Sequence, residues 1–75
     1  MSWQPYIERK PGVMGGNPVI KGTRITVQLI LERLGDGWSD AQIIASFPQL
    51  KPEHIRAAQA YAAAALSSDE VIVAE

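Results

Sequence analysis

Gly16-Asn17-Pro18-Val19-Ile20-Lys21-Gly22-Thr23-Arg24-Ile25-Thr26-Val27 is the stretch that decides how this chain folds. Val19 and Ile20 are apolar and β-branched, which favours extended backbone. Lys21-Gly22 supplies a tight turn, with Gly22 free to take the positive φ that such a turn requires. From Thr23 to Val27 the side chains alternate: Thr23, Ile25 and Val27 fall on one face, Arg24 and Thr26 on the other. The expectation is a short hairpin that runs directly into a helix.

Upstream, Met1–Pro5 carries no pattern and is expected to be a free end. Tyr6-Ile7-Glu8-Arg9 can add a short strand beside the hairpin, and Pro11-Gly12 and Gly15-Gly16 punctuate the loop between them. A phosphate-binding Walker loop is excluded: it needs Gly-Lys-Ser/Thr, whereas the order here is Lys21-Gly22-Thr23, and Pro18 removes an amide donor.

Downstream, three helices are expected. The first takes Thr26 as N-cap and runs to about Leu34, with Val27, Ile30, Leu31 and Leu34 on one face and Leu29 off it, free to pack on the hairpin or a second subunit. Gly35-Asp36-Gly37 stops it. The second opens on a capping box, Ser39 with Gln42, and on a hydrophobic staple between Trp38 and Ile43; it ends at Phe47-Pro48. The third has Leu50 and Ile55 as a second staple, Pro52 at its first position and Glu53 complementing the helix dipole. Lys51 occupies its N-cap, where an oxygen-bearing side chain would serve better by up to about 1 kcal/mol. This helix is expected to reach Leu66, and seven of the nine residues in Ala57–Ala65 are alanine. Alanine is the strongest helix former, and its small side chain allows another backbone to come close. The fold class is therefore mainly α: a three-helix, helix-turn-helix-like bundle with a short N-terminal β-hairpin. Residues 1–6 form the free end, 7–66 the single domain and 67–75 an acidic, then β-branched tail.

The signature Gly15-Gly16-Asn17-Pro18-Val19-Ile20-Lys21-Gly22-Thr23-Arg24-Ile25-Thr26-Val27 resembles that of the bacterial and archaeal domain-of-unknown-function family 433. The similarity continues through Gly35–Gly37, Ile43–Leu50 and Glu53–Ala62, covering residues 7 to 66. Lys51 departs from the family pattern at the third cap. The resemblance implies similarity to antitoxins of type II toxin–antitoxin pairs, often encoded beside a small PIN-like ribonuclease. In such pairs the N-terminal domain dimerises and contacts operator DNA, while the C-terminal part blocks the toxin. Here that part would be Asp69, Glu70, Val71, Ile72 and Val73, a short segment for wrapping an enzyme.

Composition narrows the alternatives. A chain of 75 residues buries only about 60% of the surface it exposes when unfolded, so dimerisation is an expected source of stability. With no cysteine and only His54 as imidazole, disulfides and thiolate metal sites are excluded and a metal cage is disfavoured. No nucleophile–base pair stands out, so catalysis is not expected and no cofactor is called for. At the third helix position of its helix, His54 is expected to make a local hydrogen bond. Met1–Lys10 lacks the apolar core of a signal peptide, and no apolar run approaches the ~20 residues of a membrane span, so a cytoplasmic protein is expected.

Charge is unevenly placed. Residues 1–35 carry Arg9, Lys10, Lys21, Arg24 and Arg33 against Glu8 and Glu32, while residues 36–75 carry Lys51 and Arg56 against six acids. If DNA is bound, Arg9, Lys10, Lys21 and Arg24 are the candidates for phosphate contacts, with Lys51 and Arg56 at the start of the third helix. An alanine run cannot read base edges, and these charges have a plain surface role as the alternative. Gly16, Pro18, Lys21, Gly22 and Thr23 belong to the hairpin signature, and Gly22 and Thr23 read as structural. Arg24 is open between pairing within the fold and contacting a partner. The function that the family resemblance implies is antitoxin-like, with a stand-alone helix-turn-helix regulator or a dimeric interaction module as alternatives.

Overall fold

A computed structural model describes residues 1–68. Its elements are β1 (Ile7–Glu8), β2 (Val19–Ile20), α1 (Val27–Gly35), α2 (Asp40–Ser46) and α3 (Pro52–Ser68), with one 3-10 turn, Met14–Gly16, between the strands. β1 and β2 pair antiparallel, Ile7 opposite Ile20 and Glu8 opposite Val19. The mainly helical bundle with an N-terminal hairpin is the architecture expected.

The Lys21-Gly22 turn forms as anticipated. The Thr23 N–H donates to the Ile20 carbonyl at 2.9 Å, and the Ile20 N–H donates to the Ile25 carbonyl at 2.9 Å. Gly22 sits at φ +81°, the left-handed region that the third residue of this turn requires. The second arm differs in extent: it is a single bridge, Val19 with Thr26, and the longer pairing is with β1. The cause is local. Thr26 keeps extended backbone while its side chain accepts from the Leu29 N–H at 3.0 Å, so the chain becomes helical one residue after the bridge.

Both predicted helix starts recur. Ser39 and Gln42 form the complete capping box, with the Ser39 hydroxyl accepting from the Gln42 N–H at 3.1 Å and the Gln42 side chain accepting from the Ser39 N–H at 2.8 Å. At α3 the Lys51 side chain offers no oxygen, and His54 supplies half of a capping box instead. Its Nδ1 accepts from the Lys51 N–H at 2.9 Å, and its ring meets Tyr6 edge-on. Trp38 packs on the core and lies under the Arg33 guanidinium, 5.3 Å from its ring centre.

Ile7, Ile20, Ile25, Val27, Ile30, Ile43, Leu50, Ile55, Ala57 and Ala58 make one core. Every element contributes to it, and no polar side chain among the described residues is buried. On α1, Val27 and Ile30 are buried while Leu29, Leu31 and Leu34 are half-buried. Ala57 and Ala58 let α3 approach its neighbours closely, as the alanine run implies. Trp3, within the expected free end, packs its ring edge-on against Tyr61 with centroids 4.8 Å apart. α3 extends two residues past the expected Leu66. No described helix is long and apolar enough to cross a membrane.

Gly22 has open space where a Cβ would sit, so the penalty for adding one is conformational alone. Gly22→Ala should cost about 1–2 kcal/mol and Gly22→Asn clearly less, because Asn tolerates the left-handed region. Urea unfolding of the two variants checks the order; equal stabilities would show that the turn does not depend on this φ.

Candidate functional site

Two concave surfaces flank α1, and the signature residues divide between holding the fold and facing one of them. Thr23 holds the fold. Its hydroxyl donates to the Ile20 carbonyl at 2.8 Å and accepts from the Ile25 N–H at 2.9 Å, which locks the turn from inside. Glu8 on β1 completes the lock: its Oε2 accepts from the Gly22 N–H at 3.1 Å and lies 4.0 Å from the Lys10 ammonium. Lys21 ties its own N–H to the Tyr6 carbonyl at 2.8 Å and leaves its side chain exposed. Pro18 contributes its carbonyl, which accepts from the Val27 N–H at 3.0 Å and joins the hairpin to α1.

Arg24 is different. It is exposed and makes no hydrogen bond or ion pair among the described residues. With Glu8, Lys10 and Gln49 it lines a groove of about 660 Å³ whose apolar lining is Val13, Ile25, Leu29 and Phe47. The groove joins the loop after β1, the hairpin turn, α1 and the α2–α3 connection. Leu29, off the main core face of α1, is thus used on the hairpin side. Phe47 and Gln49 are parts of this surface that the sequence did not single out, since no local pattern places them beside Val13 and Arg24.

The second surface lies between α1 and α3. It encloses about 390 Å³ and is mostly apolar, lined by Pro18, Val27, Leu31, Tyr61 and Ala62, with Asn17, Thr26, Gln28 and Glu32 around them. Beyond it α3 leaves the body of the molecule: Ala63, Ala64, Ala65 and Leu66 are exposed, Leu66 at 57%. Ala62 and Leu66 are one helical turn apart on the same face, so the groove and the exposed end of α3 form one continuous apolar strip.

The remaining candidates are spread out. Arg9 is exposed beside β1. Lys51 is exposed at the α3 N-cap, and Arg56 pairs with Asp40 at 3.1 Å. Ile55, Ala57 and Ala58, which share the first turns of α3 with them, have no accessible surface. The helix expected in the recognition position packs on the core through one face, and the exposed side of its N-terminal half carries Pro52, Glu53, Arg56 and Gln59. Among the described residues no three His, Cys, Asp or Glu side chains gather as metal ligands. The expected partner-binding segment, Asp69, Glu70, Val71, Ile72 and Val73, lies outside the described residues.

The division within the signature is measurable. Thr23→Val keeps the shape and removes both hydroxyl bonds, so it should destabilise the fold by about 1–2 kcal/mol. Arg24→Ala should leave stability within about 0.5 kcal/mol. Thermal or urea unfolding that reversed this order would make Arg24 a structural residue.

A family model described as "Protein of unknown function (DUF433)" matches residues 7–62. The chain is similar to the uncharacterized protein y4eO of Sinorhizobium fredii, 34% identical over 58 residues that cover 77% of this chain and 26% of that protein. It is also similar to the crystal structure of a DUF433 member protein from Anabaena variabilis, with a TM-score of 0.74, 36% identity, and coverage of 77% of this chain and 57% of that chain. The chain thus spans about a quarter of the length of the curated relative and a little over half of the solved one.

Proposed function

The chain belongs to the DUF433 family, and from that premise we propose that it is an antitoxin-like binding protein of a type II toxin–antitoxin pair. Its partner is a small PIN-like ribonuclease, which it holds inactive. The chain itself is a binding protein and not a catalyst. The observation that carries this reading is the apolar strip of Val27, Leu31, Tyr61, Ala62 and Leu66, which runs from the α1–α3 groove onto the exposed end of α3. Such a strip is suited to protein docking, and in the sequence the acidic–apolar residues after Ser68 follow it. The helix would supply the apolar anchor, and the carboxylates of Asp69 and Glu70 would face the basic or metal-binding residues of a nuclease site. In this arrangement α3 contributes binding surface ahead of the acidic–apolar residues.

Autoregulation by operator binding belongs to the same proposal as its less supported part. The exposed side of the first turns of α3 carries Glu53, and its Arg56 is paired with Asp40, which argues against α3 as the base-reading element. Phosphate contacts would then fall to Arg9, Lys10, Lys21 and Arg24 around the hairpin. A stand-alone helix-turn-helix regulator, the main alternative, needs base contacts that α3 is poorly placed to make.

The test is purification of the tagged chain from the cells that encode it, with mass spectrometry and a ribonuclease assay on what accompanies it. A stoichiometric small protein is expected, silent in the complex and active on RNA once separated. Leu66→Glu should reduce its capture by about tenfold or more, as removal of a central apolar anchor does. The free variant should keep its unfolding midpoint, since Leu66 is largely exposed. Recovery of the chain alone would overturn the antitoxin reading.

A further inference from the structure

The groove beside the Gly22–Thr23–Arg24 turn plays no part in the docking strip just described, yet its chemistry is specific. Its apolar lining is Val13, Ile25, Leu29 and Phe47, and its charged lining is Lys10 and Arg24 together with Glu8, whose carboxylate already accepts from the Gly22 N–H and faces Lys10. Arg24 has no partner among the described residues, and Lys10 approaches Glu8 only at 4.0 Å with its side chain 62% exposed. A surface of this kind takes an extended peptide with apolar side chains for the apolar lining and carboxylates for Lys10 and Arg24.

The chain encodes such a peptide. The seven residues after Ser68 read Asp69-Glu70-Val71-Ile72-Val73-Ala74-Glu75. Acids flank a β-branched run that favours extended backbone. Reach decides which copy can supply it. The groove includes Phe47 and Gln49, just before α3, whereas the segment begins past the far end of that 17-residue helix, roughly 25 Å away along its axis. These seven residues span at most roughly 24 Å when fully extended, so they cannot both reach back to the groove of their own copy and lie in it.

We propose that the groove binds Asp69–Glu75 of a second copy, and that two copies exchange these segments reciprocally. Val71, Ile72 and Val73 cover the apolar lining, and Asp69 and Glu70 pair with Lys10 and Arg24. Each copy contributes one groove and one segment, which satisfies two-fold symmetry and closes the assembly at a dimer. The same segment is assigned above to the ribonuclease, so dimer exchange and partner capture draw on one stretch of chain. The exchange stands independently of the antitoxin reading, because its test uses the pure chain alone.

That test is sedimentation equilibrium of the full chain and two charge-reversed variants, Lys10→Glu/Arg24→Glu and Asp69→Lys/Glu70→Lys. All four positions are changed without touching the core, and circular dichroism confirms that each variant is folded. The unaltered chain should dimerise, and each variant alone should dimerise about tenfold or more weakly, the more so at low salt. An equimolar mixture of the two should recover dimerisation, because both groove–segment pairs in the mixed dimer are again complementary. The proposal is overturned if the unaltered chain remains monomeric at about 100 μM, a concentration ample for a functional dimer. It is equally overturned if either variant dimerises normally, or if the mixture fails to recover. Loss of the dimer in Leu66→Glu alone, with both charge variants unaffected, would place the interface on the α3 strip instead.

Discussion

Thr26 serves two structures at once, and the rest of the molecule depends on that. Its backbone is extended and bridges Val19, as a strand residue would, while its hydroxyl caps the first turn of α1. No linker separates sheet from helix, so the orientation of α1 is fixed by the hairpin. Ile25 enters the core just before this junction and Val27 just after it. The turn has to deliver Thr26 in register, which is why Gly22 at positive φ and the doubly bonded Thr23 hydroxyl sit immediately upstream. An error of one residue would put Arg24 where Ile25 packs.

The small size of the chain explains the division of labour along α3. A domain this short gains little from its core, and this one fills its interior with isoleucine, valine, leucine and alanine, with no buried polar side chain among the described residues. One face of the N-terminal half of α3 supplies Ile55, Ala57 and Ala58 to that core, while Glu53, Arg56 and Gln59 stay exposed. Tyr61 still packs on the core, but past it Ala63, Ala64, Ala65 and Leu66 stand exposed. α3 is therefore a packing helix along one face of its first turns and an exposed apolar surface at its C-terminal end.

Local chemistry was legible in the sequence wherever the determinants are neighbours. The capping box of Ser39 and Gln42, the Thr26 cap, the Lys21-Gly22 turn and the stop at Phe47-Pro48 all depend on residues within four positions of one another. The role of His54 was legible as a local hydrogen bond, although not as the replacement for the capping oxygen that Lys51 lacks. What stayed hidden joins distant residues. Trp3 meets Tyr61 across most of the chain, and Phe47 shares a groove with Val13 and Arg24, which are far from it in sequence. The second hairpin arm was overestimated for a physical reason: strand alternation continues through Val27, but the cap at Thr26 outcompetes further pairing.

Arg24 shows how the structure sharpens the meaning of the family signature. Gly22, Thr23 and Arg24 are adjacent and read as one motif, yet they answer to different constraints. The first supplies a backbone conformation and the second closes the turn with two hydrogen bonds. Neither explains the third, whose guanidinium has no partner among the described residues. Guanidinium groups are suited to planar, bidentate recognition of carboxylate or phosphate. The rigid turn beneath Arg24 fixes where its backbone emerges, so less ordering remains to be done when an anion arrives. A motif that appears purely structural in sequence thus consists of a structural pair and a surface cation that the pair holds in position.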